Sequence, residues 1–207
     1  DTLKFLVYHK ERGVQIESLY SSIIFFFAQM GGFKYELYFG TGAWNVDSAM
    51  SGFFTGFFFV ALFLFIAAAS LSYLYSFLTG RKTEKIDAQK TFALEQPGQV
   101  VSFSLMVMML AMAFSKVFST QYLIWIVPLI ALLPANKKML LISGSFVVLF
   151  LITTYIFPYH FAEFIGFETN RIPSDRTMWL LIIRNFGFTA ISIWLLVNSV
   201  KSSLKLT

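Results

Sequence analysis

Residues 48–80 constrain this chain most, because they carry no charged side chain over a length greater than a membrane span. A spanning helix needs about 20 apolar residues, and its backbone groups must be hydrogen-bonded within the segment. The stretch therefore predicts a tilted transmembrane helix that extends beyond the bilayer. Composition agrees, since 57% of the 207 residues are hydrophobic and only 13% are charged, whereas soluble domains are about one quarter charged.

Four further apolar stretches predict helices that cross the membrane. With the first stretch, the five predicted spans cover about residues 50–79, 99–115, 120–135, 139–158 and 177–200. The alternating pattern of a barrel strand is absent from the sequence, so the predicted fold class is an all-α multi-span membrane protein. Residues 48–207 would form its transmembrane helical bundle.

Residues 1–47 are predicted to form a segment on the exoplasmic side. The apolar piece "VQIESLYSSIIFFFAQM", residues 14–30, begins with polar side chains. It predicts either a membrane crossing or an interfacial or re-entrant helix, and the sequence leaves both open. Residues 31–45 are aromatic with glycine at turn positions, which favours a small hairpin against the membrane surface. The opening "DTLKFLVYHKERG" resembles the exit from an upstream segment, so we expect the C-terminal portion of a larger protein.

Lysine and arginine in short loops set the expected orientation. Alternation of five spans places residues 80–98, 134–138 and the tail after residue 200 on one side, which holds most of the basic residues near span ends. That side is predicted to be cytoplasmic. The polar residues 116–121 would then face outward, and we expect a multi-pass protein of the inner (plasma) membrane with its site on the exoplasmic side.

The segment "SKVFSTQY" interrupts two apolar runs with Lys116, Ser119, Gln121 and Tyr122. One interpretation is an interfacial turn, in which the lysine extends to the surface and the polar side chains cap helix ends. The other is a binding site for a lipid-linked phosphate, because a lysine beside hydroxyl and amide donors suits an anion in the headgroup zone. The residues alone leave both interpretations open.

A second polar cluster, "YHKERGVQIES", contains His9, Arg12, Gln15 and Glu17 ahead of an apolar run. It indicates either a solvated helix start or an anion or sugar site. In the second case Arg12 would be the bidentate phosphate donor, and His9 or Glu17 would orient a hydroxyl.

Arg184 lies inside the last predicted span. An arginine at that depth is costly unless it is paired or reaches the surface. We expect it either to extend outward or to pair with a lipid phosphate, Glu163 or Glu168.

Several kinds of chemistry have no pattern in this sequence. There is no cysteine, and the two histidines, His9 and His160, lie far apart without metal-ligand spacing. Phosphate-binding loops, dinucleotide fingerprints and hydrolase or metalloprotease motifs are also absent from the sequence. No metal site is predicted, and no nucleic-acid partner is needed to explain the net charge of +5.

"KVFSTQYLIWIVPLIAL" and "YHKERGVQIESLYSS" resemble motifs of the GT-C superfamily of polyprenyl-phosphate-sugar-dependent glycosyltransferases. The second motif is similar to the bacterial mannosyltransferase-like family, which is related to the catalytic subunit of GPI mannosyltransferase I. "IFPYHFAEFIGFETN" resembles the C-terminal end of that eukaryotic enzyme.

The resemblance implies a transferase that moves a hexose, mannose-like, from a polyprenyl-phosphate donor to an exoplasmic glycan or glycolipid acceptor. Its catalytic Asp or Glu would lie in an exoplasmic loop upstream of this chain. Here the resemblance implies the donor-phosphate side of the site: His9, Arg12, Gln15, Glu17, Lys116, Ser119, Gln121, Tyr122 and Arg184. Use of a divalent cation is left open. The alternatives are a transporter or flippase for a lipid-linked substrate and a non-catalytic membrane scaffold.

Overall fold

The computed structural model describes residues 12–32, 34–83, 97–133, 135–167 and 174–204, which are mostly helical with one small sheet. The strands are β1 (Val14–Gln15), β2 (Tyr35–Gly40) and β3 (Ala43–Ser48). The helices are α1 (Leu19–Gln29), α2 (Ser51–Thr83), α3 (Pro97–Ala113), α4 (Leu123–Ala131), α5 (Lys137–Thr154), α6 (Phe161–Phe164) and α7 (Asp175–Leu204). A 3-10 turn, Thr120–Tyr122, leads into α4, and a π-helical segment, Tyr155–Tyr159, follows α5.

Three of the described helices are long and apolar enough to cross a membrane, over Ser51–Leu71, Lys137–Tyr159 and Asp175–Asn198. They coincide with the first, fourth and fifth predicted spans, and a mostly helical chain with three such helices is compatible with the predicted membrane protein. Large apolar side chains point away from the protein along these helices, with Phe63 71% and Leu141 74% exposed. Such continuous apolar faces suit lipid rather than water.

The second and third predicted spans are apolar helices of shorter length. α3 has 17 residues, and α4 has only nine with Pro128 inside it. At 1.5 Å per residue, α4 extends about 14 Å, roughly half the hydrocarbon thickness. Hydropathy alone overestimates the length of this helix, because the hydropathy of a sequence does not reveal the irregular backbone before and after the helix. α1, with 11 residues, is also too short for a full crossing.

The described chain contains a three-stranded antiparallel sheet in the order β1-β3-β2, so the prediction of an all-α fold is wrong in this respect. The expected hairpin is present, but its strands run through residues 35–48. Its two loop residues, Thr41 and Gly42, have φ of 50° and 75°, as a type I′ turn requires. Val46 pairs with Leu37 on one side and Val14 on the other, and all three are buried.

Helix α7 connects two buried apolar clusters. Its first turns, with Met178 and Leu181, pack with α1 and the inner face of the sheet. Farther along, Phe188 and Leu195 pack with residues of α3, α4 and α5. Arg184 and its neighbour Asn185 lie between these positions along the helix, and each is 1% exposed. Polar groups buried this deeply need partners inside the protein.

Gly13 lies where the chain before β1 comes close to the hairpin. A Cβ atom there would overlap the Tyr38 hydroxyl and lie 3.3 Å from the Asn45 side chain. We expect Gly13→Ala to destabilise the protein by about 1–3 kcal/mol through overpacking, measured by thermal unfolding in detergent. Adding Tyr38→Phe should recover part of the loss.

Gly56→Ala provides the matched control for Gly13→Ala. A Cβ at Gly56 meets nothing within 4 Å, and alanine favours a helix over glycine. We expect this variant to be as stable as the wild type or slightly more so. Equal effects of the two substitutions would contradict the steric account of Gly13.

Candidate functional site

The chain from Arg12 to Glu17 lies against the connection between α3 and the 3-10 turn. Lys116 Nζ donates to the Arg12 carbonyl at 2.5 Å, and the Gln15 amide donates to the Lys116 carbonyl at 3.0 Å. The Thr120 amide donates to Glu17 Oε2 at 2.9 Å. Two polar segments separated by about a hundred residues therefore meet along three hydrogen bonds, and we call them together the polar junction (residues 12–18 and 116–120).

The Tyr20 side chain and the start of α1 hold this junction in place. Tyr20 Oη donates to the Phe114 carbonyl at 2.8 Å, which anchors the connection just before Lys116. Ser18 is the N-cap of α1, and its side chain accepts from the Ser21 amide. Serine satisfies a backbone donor at this position that would otherwise lack a partner. The helix therefore begins directly after Glu17 and fixes where that side chain emerges.

Arg184 reaches the junction from the middle of α7. Its Nη2 donates to the Glu17 carbonyl at 2.7 Å and to Asn185 Oδ1 at 2.7 Å. Its guanidinium carbon lies 4.9 Å from the centre of the Phe118 ring, a cation–π distance. Nη1 is buried and has no hydrogen-bond partner among the described residues. The guanidinium thus holds the chain at Glu17, and the NH2 group of Nη1 can still donate to another acceptor.

Asn185 completes the attachment of α7 to the start of α1. Its Nδ2 lies 2.9 Å from the Glu17 carbonyl, 3.0 Å from the Ser18 carbonyl and 2.7 Å from Ser22 Oγ. These acceptors lie on the same helix N-terminus, so one amide group joins α7 to α1. The bonds are buried, where an unpaired group is expensive.

Burial changes the acid–base properties of two residues in the junction. Burial raises the pKa of the Glu17 carboxyl above 4.5, although the charge on Arg184 and the Thr120 N–H act in the opposite direction. Burial also lowers the pKa of Lys116 from its ordinary value, and the nearby positive charge of Arg12 lowers it further. Two cations thus lie close enough to repel each other, an arrangement that a bound anion would stabilise.

The other predicted site residues differ in position. Ser119 is half-buried at the N-cap of the 3-10 turn, and its side chain makes no capping bond. Gln121 is exposed, and Tyr122 packs on Trp125 with ring centres 4.8 Å apart. The expectation that Ser119 caps the following turn with its side chain is therefore wrong. His9 lies outside the described residues.

Arg184 neither extends to the surface nor pairs with Glu163, as two of the expectations for it had proposed. Glu163 instead lies 2.9 Å from His160 Nδ1, and Glu168 is outside the described residues. Lys116 is likewise only 2% exposed and does not extend to the surface. Both expectations assumed that a cation near a membrane seeks water or a carboxylate, whereas these two cations bind main-chain carbonyl groups.

Asn185, Ser18 and Ser22 also belong to the site but were not among the predicted site residues. Asn185 follows Arg184 directly in an otherwise apolar stretch, and this adjacent polar pair could have indicated that Asn185 belongs to the site. The two serines gave no such signal, because a serine at a helix start is explained by capping alone.

No group of three or more His, Asp or Glu side chains placed to hold a metal occurs within the ranges that the structure describes. Comparison of the chain with protein-family models, with curated proteins and with solved structures gave no match.

We expect Asn185→Ala to destabilise the protein by about 3 kcal/mol, because it removes buried hydrogen bonds to residues 17, 18 and 22 and takes away the Oδ1 acceptor of Arg184 Nε and Nη2. Thermal unfolding in detergent measures the loss. Asn198→Ala on the same helix is the matched control, since Asn198 only donates to the Trp194 carbonyl one turn earlier. Comparable losses for the two variants would refute the special role of Asn185.

The stability of the wild type should depend on pH through Glu17. Between 4.5 and the raised folded pKa, the folded protein keeps a proton that the unfolded chain has lost. Stability therefore falls as the pH rises through this window. Glu17→Gln keeps an oxygen for the Thr120 amide but does not titrate, so its unfolding midpoint should vary less between pH 4.5 and neutrality.

Glu36→Gln on β2 is the control for this measurement, because Glu36 is exposed on the hairpin. We expect it to keep the pH slope of the wild type. A Glu17→Gln protein with an unchanged slope would show that the pH dependence originates elsewhere.

Proposed function

We propose that this chain belongs to an integral membrane glycosyltransferase that moves a hexose from a polyprenyl-phosphate-sugar donor to an exoplasmic acceptor. One observation carries the proposal. The two motifs on which the resemblance to GT-C transferases rests are far apart in sequence, yet Lys116 contacts the Arg12 carbonyl and Thr120 contacts Glu17. A shared site would explain why both motifs occur in one chain.

In the proposed reaction, the bond between the sugar C1 and the donor phosphate oxygen breaks while a bond from C1 to an acceptor oxygen forms. The acceptor hydroxyl loses its proton to a base, and the polyprenyl phosphate leaves with the bonding electron pair. Negative charge therefore grows on the phosphate in the transition state. Fixed cations and N–H donors accelerate such a step because they stabilise that charge.

Lys116 and Arg12 are the residues we assign to the leaving phosphate. Their charges are close enough for Arg12 to lower the pKa of Lys116, and an anion between them would relieve this repulsion. Arg184 is a positioning residue in this proposal, since its Nη2 holds the Glu17 carbonyl and its side chain is buried. The proposal assigns the proton-accepting base to no residue of this chain.

The lipid part of the donor would lie along α4. This helix begins right after the polar junction and carries exposed apolar side chains, including Ile124, Trp125 and Val127. A polyprenyl chain on this surface would place its phosphate at the Lys116 end. The charged group and the tail would then each occupy a suitable environment.

A transporter or flippase for a lipid-linked substrate is the second candidate, favoured by the buried Arg184 within a predicted span. Buried charges in membrane helices often mark a substrate path. Purified protein in vesicles distinguishes the two: a flippase exchanges labelled lipid across the bilayer, whereas a transferase forms a new glycosidic bond.

Lys116→Met should lower sugar transfer from a polyprenyl-phosphate donor by about a hundredfold or more, because it removes a charge from the leaving group while preserving bulk. Radiolabelled sugar incorporation in membranes that contain the protein measures the effect. Arg12→Ala should have a similar effect, although its backbone carbonyl is retained.

Lys138→Gln is the matched control, since Lys138 is an exposed lysine at the start of α5. We expect it to leave sugar transfer unchanged. Wild-type activity in both Lys116→Met and Arg12→Ala, at equal protein levels in the membrane, would refute the assignment of these residues.

A further inference from the structure

A groove runs between the end of α5 and the first turns of α7. It has a volume of about 510 Å³ and is lined by Leu151, Ile152, Tyr155, Arg176, Trp179 and Leu180. Cavities of about 300–1,000 Å³ hold small organic ligands in proteins. The lining is almost entirely apolar, so the groove suits a hydrocarbon chain.

Arg176 gives this groove a positive charge at one end. It is exposed, and its guanidinium carbon lies 5.1 Å from the centre of the Tyr155 ring. Nearby carboxylates have other partners: Asp175 accepts from Gln29 at 2.7 Å, and Glu163 lies 2.9 Å from His160. Among the described residues, no carboxylate lies within ion-pair distance of Arg176, which leaves the guanidinium for an anion from outside.

The groove lies where a membrane lipid would meet the protein. Tyr155 follows the last turn of α5 and Arg176 is in the first turn of α7, so both mark the ends of apolar helices. Trp179, 40% exposed, stands one turn deeper, as expected of an aromatic side chain near the headgroup region. A cation at the surface and an apolar groove below it match the two parts of an anionic lipid.

We propose that this groove binds one acyl chain of an anionic glycerophospholipid, with the lipid phosphate on Arg176. The proposal goes beyond glycosyl transfer and uses none of the residues assigned to the donor phosphate. Arg176 and Arg184 are separated by about 12 Å along α7 at 1.5 Å per residue. The groove is lined by the end of α5, Tyr155 and the start of α7, whereas the polar junction consists of the chain before α1 and the connection after α3.

The test uses phosphatidylglycerol with a photoactivatable acyl chain, in phosphatidylcholine vesicles that contain the purified protein. We expect crosslinks on the peptides that carry residues 151–155 and 176–180, and more of them than with the matched phosphatidylcholine probe. Arg176→Gln should reduce labelling about fivefold, since one basic residue at a membrane surface contributes about this factor. Arg176→Lys should restore most of it.

Two further variants separate loss of the site from loss of the fold. Leu180→Trp should fill the groove and reduce labelling by both probes, while Lys138→Gln, at the opposite end of α5, should label like the wild type. Thermal unfolding identifies any variant that fails to fold. Equal labelling by the two probes, or full labelling of folded Arg176→Gln, would overturn the proposal. Displacement by polyprenyl phosphate but not by excess phosphatidylglycerol would also overturn it and assign the groove to the donor lipid.

Discussion

The attachment of α7 to the start of α1 through Arg184 and Asn185 is the interaction on which the described structure depends. Arg184 donates to the main-chain carbonyl of Glu17, and Asn185 donates to those of Glu17 and Ser18, at distances of 2.7–3.0 Å. The carbonyl groups belong to the N-terminal end of a helix, where the chain turns from β1 into α1. One buried polar pair therefore joins α7 to the start of α1, close to the end of β1.

This attachment also determines the position along α7 at which the polar junction contacts that helix. Arg184 is about 13 Å along α7 from Asp175 at 1.5 Å per residue, and its guanidinium packs on Phe118. The connection between α3 and α4 thus meets α7 well inside that helix rather than at its end. This agrees with the short α4, whose nine residues would not be enough for a full crossing.

Hydropathy was sufficient to predict α2, α5 and α7, because a long helix in hydrocarbon is determined by its own backbone and its apolar side chains. It was not sufficient for β1, which consists of two residues that pair with a strand about thirty positions later. The polar clusters around Arg12 and Lys116 were predicted as candidate sites from residue type. That the two clusters share one site was implied only by the resemblance, because their contact depends on Tyr20 and Glu17, which reach across the fold. The partners of Arg184 are carbonyl groups, which every residue has and which no sequence pattern distinguishes.

The use of main-chain acceptors has a consequence for the site. A carbonyl group orients a cation without adding a negative charge, and Lys116 and Arg184 each bind one. Glu17 contributes in a similar way, since its carboxylate accepts from the Thr120 amide while Arg184 donates to its carbonyl. Main-chain bonds therefore orient Lys116 and Arg184, and burial keeps water away from both cations. Both properties are what a site needs if it is to stabilise a phosphate whose charge increases during a reaction, and a scaffold that only filled the membrane would need neither.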